Sequence, residues 1–203
     1  EPVVVTRTLT VLPAPTSTSL ALSASSWKYG ATRPTATATV TSEAPGRVEF
    51  TLGGKSIGKV PVVGGKASVR LPSRKVGTYE LVATYVPTVA GAAQGSTAKR
   101  SVKVTKASAT AKIKTKTTKV KAKKKFSVTI TVKVKGVARP TGKLAIYDGK
   151  KKIKTVALTS SHQGKRTVKI ALKKKGTHKL KVRYLVSKNI KADNSSRIKV
   201  RVG

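Results

Sequence analysis

Apolar and polar positions alternate with a period of two along most of this chain, and one stretch shows the rule at its clearest. In Gly77-Thr78-Tyr79-Glu80-Leu81-Val82-Ala83-Thr84-Tyr85, the side chains of Tyr79, Leu81, Ala83 and Tyr85 share one face of a strand that follows a turn. The pattern returns 99 residues on as Gly176-Thr177-His178-Lys179-Leu180-Lys181-Val182-Arg183-Tyr184. Gly, Thr, Leu and Tyr keep their places. His178, Leu180, Val182 and Tyr184 hold the apolar face, while Lys179, Lys181 and Arg183 fill the opposite one with positive charge.

The same punctuation runs through the rest of the chain. After Leu20 and Leu22, Thr35-Ala36-Thr37-Ala38-Thr39-Val40 alternates small and hydroxylated residues. Pro45-Gly46 turns into Arg47-Val48-Glu49-Phe50-Thr51-Leu52, and Gly53-Gly54 marks a tight hairpin where positive φ is needed. Ile57 to Val63 follows, and Gly64-Gly65 turns into Ala67-Ser68-Val69-Arg70-Leu71. With 77–85 and Thr97 to Val104, this makes about seven short strands at roughly 8–12 residue spacing. A second set repeats the order: Gly142-Lys143-Leu144-Ala145-Ile146 aligns with Gly46 to Phe50, and Asp148-Gly149 falls on the Gly53 turn. Arg166 to Leu172 and Arg197 to Val202 complete it. The expected fold is all-β, with two tandem immunoglobulin-like antiparallel β-sandwiches: 16–106 as the first domain and 107–203 as a Lys-rich second.

Residues 1–15 read as one strand and a Pro-rich exit. Arg7, Leu9 and Val11 match Arg100, Val102 and Val104, so this leading strand is expected to be the remnant of a preceding repeat, or an assembly arm. Val3, Val5, Leu9 and Val11 are the residues through which such an unpaired strand would add to a partner's sheet. With no initiator Met, the chain is read as a mature or excised piece of a longer protein.

The order Gly-x-Val-x-Phe, Gly-Gly-x-x-Ile-Gly, Gly-x-Ala-x-Val and Gly-Thr-Tyr-x-Leu-x-Ala-x-Tyr resembles the bacterial Ig-like repeats of secreted, multi-repeat actinobacterial surface proteins. The resemblance is closest in the first unit. In the second the third motif has lost its Gly-Gly and lysine runs intervene. It implies an extracellular stalk, spacer or adhesion module at the bacterial cell surface, with neighbouring Ig-like or other domains as partners. The motifs fix turns and core positions and so speak to fold rather than function. Tyr79, two residues before Leu81, resembles the tyrosine corner of Ig sandwiches, and His178 takes its place in the second unit as a half-buried substitute. Ig-like adhesins also carry Lys–Asn/Asp isopeptide cross-links, but the first unit has no Asp or Asn. In the second, Asn189, Asp193 and Asn194 fall in a polar loop before the last strand.

Composition narrows the chemistry. Aromatic residues are 4% of the chain, so the cores must be built from Val, Ile, Leu, Ala and Thr methyls. Trp27, before a turn, is read as a core-edge aromatic rather than a glycan-stacking one. There is no Cys, which removes disulfides, thiolate nucleophiles and Cys-based zinc sites. Two histidines (His162 and His178) and six carboxylates are too few for a metal cluster, a Ca²⁺ loop or an acid–base pair. No phosphate-cradling Gly loop is present. The chain is therefore read as non-enzymatic, without cofactor, metal or small-molecule substrate. No apolar run reaches the ~18 residues of a membrane span.

Charge is the outlying property. The net +38 is uneven: residues 106–203 carry 31 Lys and Arg against Asp148 and Asp193, a net +29. Charge of that size points to an anionic polymer or an acidic protein surface as partner. The candidate residues are Lys123, Lys124 and Lys125, Lys150, Lys151 and Lys152, and Lys173, Lys174 and Lys175 in turns, with Lys179, Lys181, Arg183, Lys199 and Arg201 on strands. The last five are expected to form a ladder of like charges on one sheet, which destabilises it until a partner neutralises it. Lys outnumbers Arg about five to one there, with almost no aromatics between, so recognition should be diffuse, salt-sensitive and sequence-blind. The alternatives left standing are a spacer resting against an anionic envelope, a dedicated polyanion binder, and a filament, toxin-particle or virion subunit that uses strand 1–15.

Overall fold

A computed structural model describes residues 12–203. The partner-strand candidates Val3, Val5, Leu9 and Val11 lie outside the described residues. By its contacts the chain divides into two compact units. The first takes in residues up to Trp27 with Arg33–Pro72 and Gly77–Lys103; the second is Lys28–Thr32, Ser73–Val76 and Val104–Gly203.

The strands run in chain order as β1 (Thr18–Leu22), β2 (Ser26–Lys28), β3 (Thr35–Val40), β4 (Gly46–Leu52), β5 (Lys55–Pro61), β6 (Lys66–Arg70), β7 (Gly77–Pro87) and β8 (Ser96–Thr105). The second set is β9 (Ala109–Lys114), β10 (Lys119–Val120), β11 (Lys125–Val134), β12 (Gly142–Asp148), β13 (Lys151–Leu158), β14 (Lys165–Ala171), β15 (Gly176–Tyr184), β16 (Asp193–Asn194) and β17 (Ile198–Val202). In the first set a three-stranded sheet, β1-β3-β6, faces a five-stranded one, β2-β8-β7-β4-β5. In the second the sheets are β9-β11-β14 and β10-β17-β15-β12-β13, with β16 added beside β15. The two orders correspond strand for strand, which is the tandem sandwich the repeat predicts. Pairing is antiparallel in the registers described, except that β10 runs parallel to β17.

Period-two alternation explains which residues enter the cores. Along β3, Ala36, Ala38 and Val40 point inward and Thr35, Thr37 and Thr39 do not. Thr methyls do not build the core as expected: the buried polar residue among those described is Ser195, and Ala, Val, Ile and Leu do the filling. Trp27, 8% exposed, belongs to the first core. In the second, Phe126, Ile130, Ile146, Leu158, Leu180 and Tyr184 pack as one cluster across the two sheets. The hairpin glycines adopt the backbone their turns demand, with φ of 58° and 74° at Gly53 and Gly54.

A second tyrosine of the same strand, Tyr85 at the far end of β7, also secures a loop. It is fully buried, and its O–H donates to the Ala44 carbonyl at 2.8 Å. In the second unit Tyr184 does the same to the Thr141 carbonyl at 2.6 Å. Both rings lie against a glycine: a Cβ on Gly46 would sit 2.3 Å from the Tyr85 ring, and one on Gly142 would sit 2.8 Å from the Tyr184 hydroxyl. The glycine that opens each Gly-x-Val-x-Phe-type strand is thus required by a tyrosine about 40 residues later. The segment read as a loop before the last strand is also ordered. Asp193 and Asn194 pair with Tyr184 and Arg183 as β16, and Asp193 accepts from the Ala111 N–H at 2.7 Å.

Candidate functional site

The outer face of the six-stranded sheet in the second unit carries the strand lysines. Leu180, Val182 and Tyr184 fill the inner face of β15, so Lys179, Lys181 and Arg183 must point outward; Val200 and Val202 force the same on Lys199 and Arg201. Register then decides which charges meet. Lys179 lies directly opposite Lys199, Arg201 opposite Thr177, and Lys119 of β10 opposite Arg201. Lys181 and Arg183 do not face another base. Lys181 pairs with Tyr147, its ammonium 5.4 Å from the ring centre, and Arg183 pairs with Ala145 and Asn194. The expected ladder is therefore one directly opposed lysine pair with neighbours, not a continuous stack.

The three lysine triplets are separated by more than twenty residues in sequence, and the strand register brings them to one end of the sandwich. Lys123 and Lys124 precede β11 and Lys125 opens it, paired with Ala171, while the Lys123 N–H reaches the Leu172 carbonyl at 2.7 Å. Lys173–Lys175 follow at once and lead into Gly176, which pairs with Val202. The β12–β13 hairpin, with Lys150–Lys152, lies at this same end because Asp148 pairs with Leu180 and the Gly149 N–H bonds the Lys179 carbonyl at 3.0 Å. Lys119 and Lys121 join from β10 and its exit, where the Gly203 N–H bonds the Val120 carbonyl. Eleven lysines are thus placed around one pole. Among the described residues, no lysine or arginine within 107–203 has a carboxylate at ion-pair distance.

Both acids of that region are otherwise engaged: Asp193 holds the Ala111 N–H, and Asp148 holds His178. The His178 ring, 12% exposed, places Nδ1 at 2.5 Å from Asp148 Oδ2 and Nε2 at 2.9 Å from the Lys174 carbonyl oxygen. Two acceptors face two ring nitrogens, so only the imidazolium, with N–H groups on both sides, satisfies the arrangement. The hydrogen bond to Asp148 raises the His178 pKa above its ordinary value, against desolvation, with help from the Lys174 carbonyl and the Asp148 charge. His178 stands half-buried at the corner position, its Nε2 bonding the Lys174 carbonyl four residues upstream. It is in addition ion-paired to Asp148 at the end of β12, a clamp between that end and the lysine turn. Asp148 was missed as a partner because it lies 30 residues upstream. The signal available was a lone acid at a hairpin turn amid lysines. His162, by contrast, accepts from the Thr159 N–H at 3.1 Å within the short 3-10 turn Ser160–His162, a structural cap.

The first unit is built on the same sheet with a different balance. Glu49 is bound by Lys59 at 3.0 Å and Arg47 at 3.1 Å, which hold its carboxyl below the ordinary range, and Lys99 lies 3.6 Å from Glu80. Among the described residues no group of three or more His, Asp or Glu is placed to hold a metal ion, and no described helix is long and apolar enough to cross a membrane.

The sequence pattern of the bacterial Ig-like domain, group 3, matches residues 20–105 and again 113–203. The chain belongs to that family. Solved structures similar to this Ig-like pair include the D0–D1 domain of intimin (22% identical, 90% of this chain and 97% of that one, TM-score 0.33). Others are the titin domains Z1Z2 in complex with telethonin (15%, 91% and 97%, 0.45) and the Yersinia pseudotuberculosis adhesin InvE (15%, 92% and 58%, 0.42). Likenesses at this level carry no functional argument. No curated protein matches the sequence.

Proposed function

We propose that this Ig-like pair is a non-catalytic, extracellular interaction module whose second domain, 107–203, engages an anionic polymer or acidic surface through unpaired lysines. One observation carries the reading. The Lys179–Lys199 pair and the three lysine turns have no carboxylate counterpart among the described residues, although the first unit, on the same sheet order, pairs Glu49 and Glu80 with bases. A fold that can balance its charges in one copy and leaves them unbalanced in the other presents them to something outside itself. Lysine, a hydrated point charge on a flexible stem, suits diffuse attraction to a polymer rather than bidentate recognition of one group.

Retention of the full chain on immobilised heparin, polyphosphate and DNA across a salt series tests this. Binding that weakens linearly in log-log coordinates from about 0.05 to 0.2 M salt is expected. Absence of retention on all three at about 0.15 M salt would overturn it. The assembly-arm alternative rests on strand 1–15, of which residues 1–11 lie outside the described residues and Ala14 bridges to Ala93, and no observation favours it.

A further inference from the structure

Resting on that reading, we propose that the pole of the second domain is the seat of binding: a linear polymer of phosphate or sulfate groups crosses Lys123–Lys125, Lys150–Lys152 and Lys173–Lys175, and proton uptake at His178 accompanies its binding. Three features single out this end. The strand register converges three lysine turns that the sequence keeps apart. Lys123 sits in a left-handed backbone conformation, φ 62°, a position glycine takes with less strain. And Asp148, the carboxylate placed at this end, is matched by His178.

The clamp matters to an anion because it sets the charge beneath the turns. With His178 protonated, the imidazolium balances Asp148, both ring N–H groups are bonded, and the 173–175 turn is held to the end of β12. Without the proton, one ring nitrogen faces an acceptor unbonded and Asp148 becomes an uncompensated negative charge below the polymer. The charged groups of the surrounding elements are Asp148 on β12, Lys150 and Lys151 in the hairpin, Lys173–Lys175 in the preceding turn, Lys123–Lys125 at the start of β11, and Lys179 on β15 itself; Val200 lies opposite on β17. A polyanion laid over these lysines favours the imidazolium, and by linkage the imidazolium favours the polyanion. His162 lies elsewhere, in the 3-10 turn that follows the other end of β13.

The experiment compares two triple variants of the full chain that remove equal charge. Lys124→Gln/Lys151→Gln/Lys174→Gln takes one lysine from each turn. Lys112→Gln/Lys133→Gln/Lys165→Gln takes three from the outer face of β9-β11-β14. Heparin and inorganic polyphosphate are the probes, titrated against salt at pH 6 and pH 8.5. The pole variant is expected to lower the log-log salt slope by about 2–3 and the face variant by less than about 1. Binding of one probe and not the other assigns the seat to sulfate or to phosphate. Equal losses in the two variants would overturn the polar seat while leaving the general reading intact; failure of the unmodified chain to bind would sink the general reading itself. Wild-type affinity should fall about threefold or more from pH 6 to 8.5, and the fall should vanish in His178→Gln. If that variant does not fold, the His178 ring is titrated by NMR with and without heparin. A pKa unmoved by heparin, or a wild-type affinity flat with pH, would overturn the proton linkage.

Discussion

Reversing one charge on the sheet tests the reading of the basic face most directly. Lys179 and Lys199 are both exposed and directly opposed, so their Cβ atoms lie about 4.5–5.5 Å apart while the ammonium groups can splay to roughly 8 Å. Two like charges at that separation in a water-like dielectric repel by about 0.5 kcal/mol. Lys179→Glu replaces this with an attraction of similar size and adds weaker attraction to nearby Arg201 and Lys181. The expected net stabilisation is about 1 kcal/mol, or a rise of about 4–8 °C in the melting temperature of a domain this size. Differential scanning calorimetry is the assay, because the single Trp reports on the first unit. Lys179→Glu/Lys199→Glu should fall below Lys179→Glu, because it restores a like-charge pair, while attraction to Arg201 and Lys181 keeps it at or above wild type. In 1 M salt, where the screening length is about 3 Å, the gain should nearly disappear. A Lys179→Glu variant that melts at or below the wild-type temperature in low salt, or whose gain survives 1 M salt, would refute the claim that uncompensated lysines strain this sheet.

Further outcomes follow from single contacts. Tyr184→Phe removes the hydroxyl that satisfies the Thr141 carbonyl and should destabilise the second domain by about 1 kcal/mol in urea unfolding. Gly46→Ala drives a methyl into the Tyr85 ring and should cost several times more, about 2–4 kcal/mol, read by Trp27 fluorescence in the first unit. Because the folded His178 pKa is raised, its contribution is fully present below its unfolded value of about 6.5 and is lost as pH rises through the folded value; calorimetry at pH 6 and pH 8.5 should show the second transition, and not the first, shift downward. Heparin at about 100 times its dissociation constant should stabilise the second domain by about 2.7 kcal/mol and leave the Trp27 transition unmoved.

How much of this was legible in the sequence varied with the range of the interaction. Strand positions, hairpin glycines and inward faces are set by alternation and local turn chemistry, so Ala36, Ala38 and Val40, or Gly53-Gly54, could be placed without coordinates. Alternation puts Tyr85 on the inward face of β7 but does not say that its hydroxyl reaches the Ala44 carbonyl; the β3–β4 loop passing over it decides that. The charge ladder was anticipated in kind and not in register: the Tyr147 and Ala145 partners of Lys181 and Arg183 depend on which strand lies on the other side of β15. The His178–Asp148 clamp was invisible for the same reason, since it joins positions 30 apart that two neighbouring strands bring level.

Set side by side, the two domains show where the divergence was placed. The position of Glu49 becomes Ala145 and that of Glu80 becomes Lys179, whereas Val48, Phe50, Leu81 and Tyr85 are matched by Leu144, Ile146, Leu180 and Tyr184, all fully buried. Core positions keep their character because a buried mismatch costs several kcal/mol. Outward positions on a solvated sheet cost tenths, so they are free to drift. Drift alone would scatter signs; here both acids of the outer face are gone while Arg47 remains a base as Lys143. The lysine turns at the pole add charge where the strands end and the core imposes nothing. Asp148, which stands where the first unit has the buried Leu52, is an acid that a histidine neutralises. Ala145 is fully buried, so the loss of Glu49 there is also a change of packing. At the exposed position, the exchange of Glu80 for Lys179 while Arg47 stays a base as Lys143 is the kind of change an anionic partner favours.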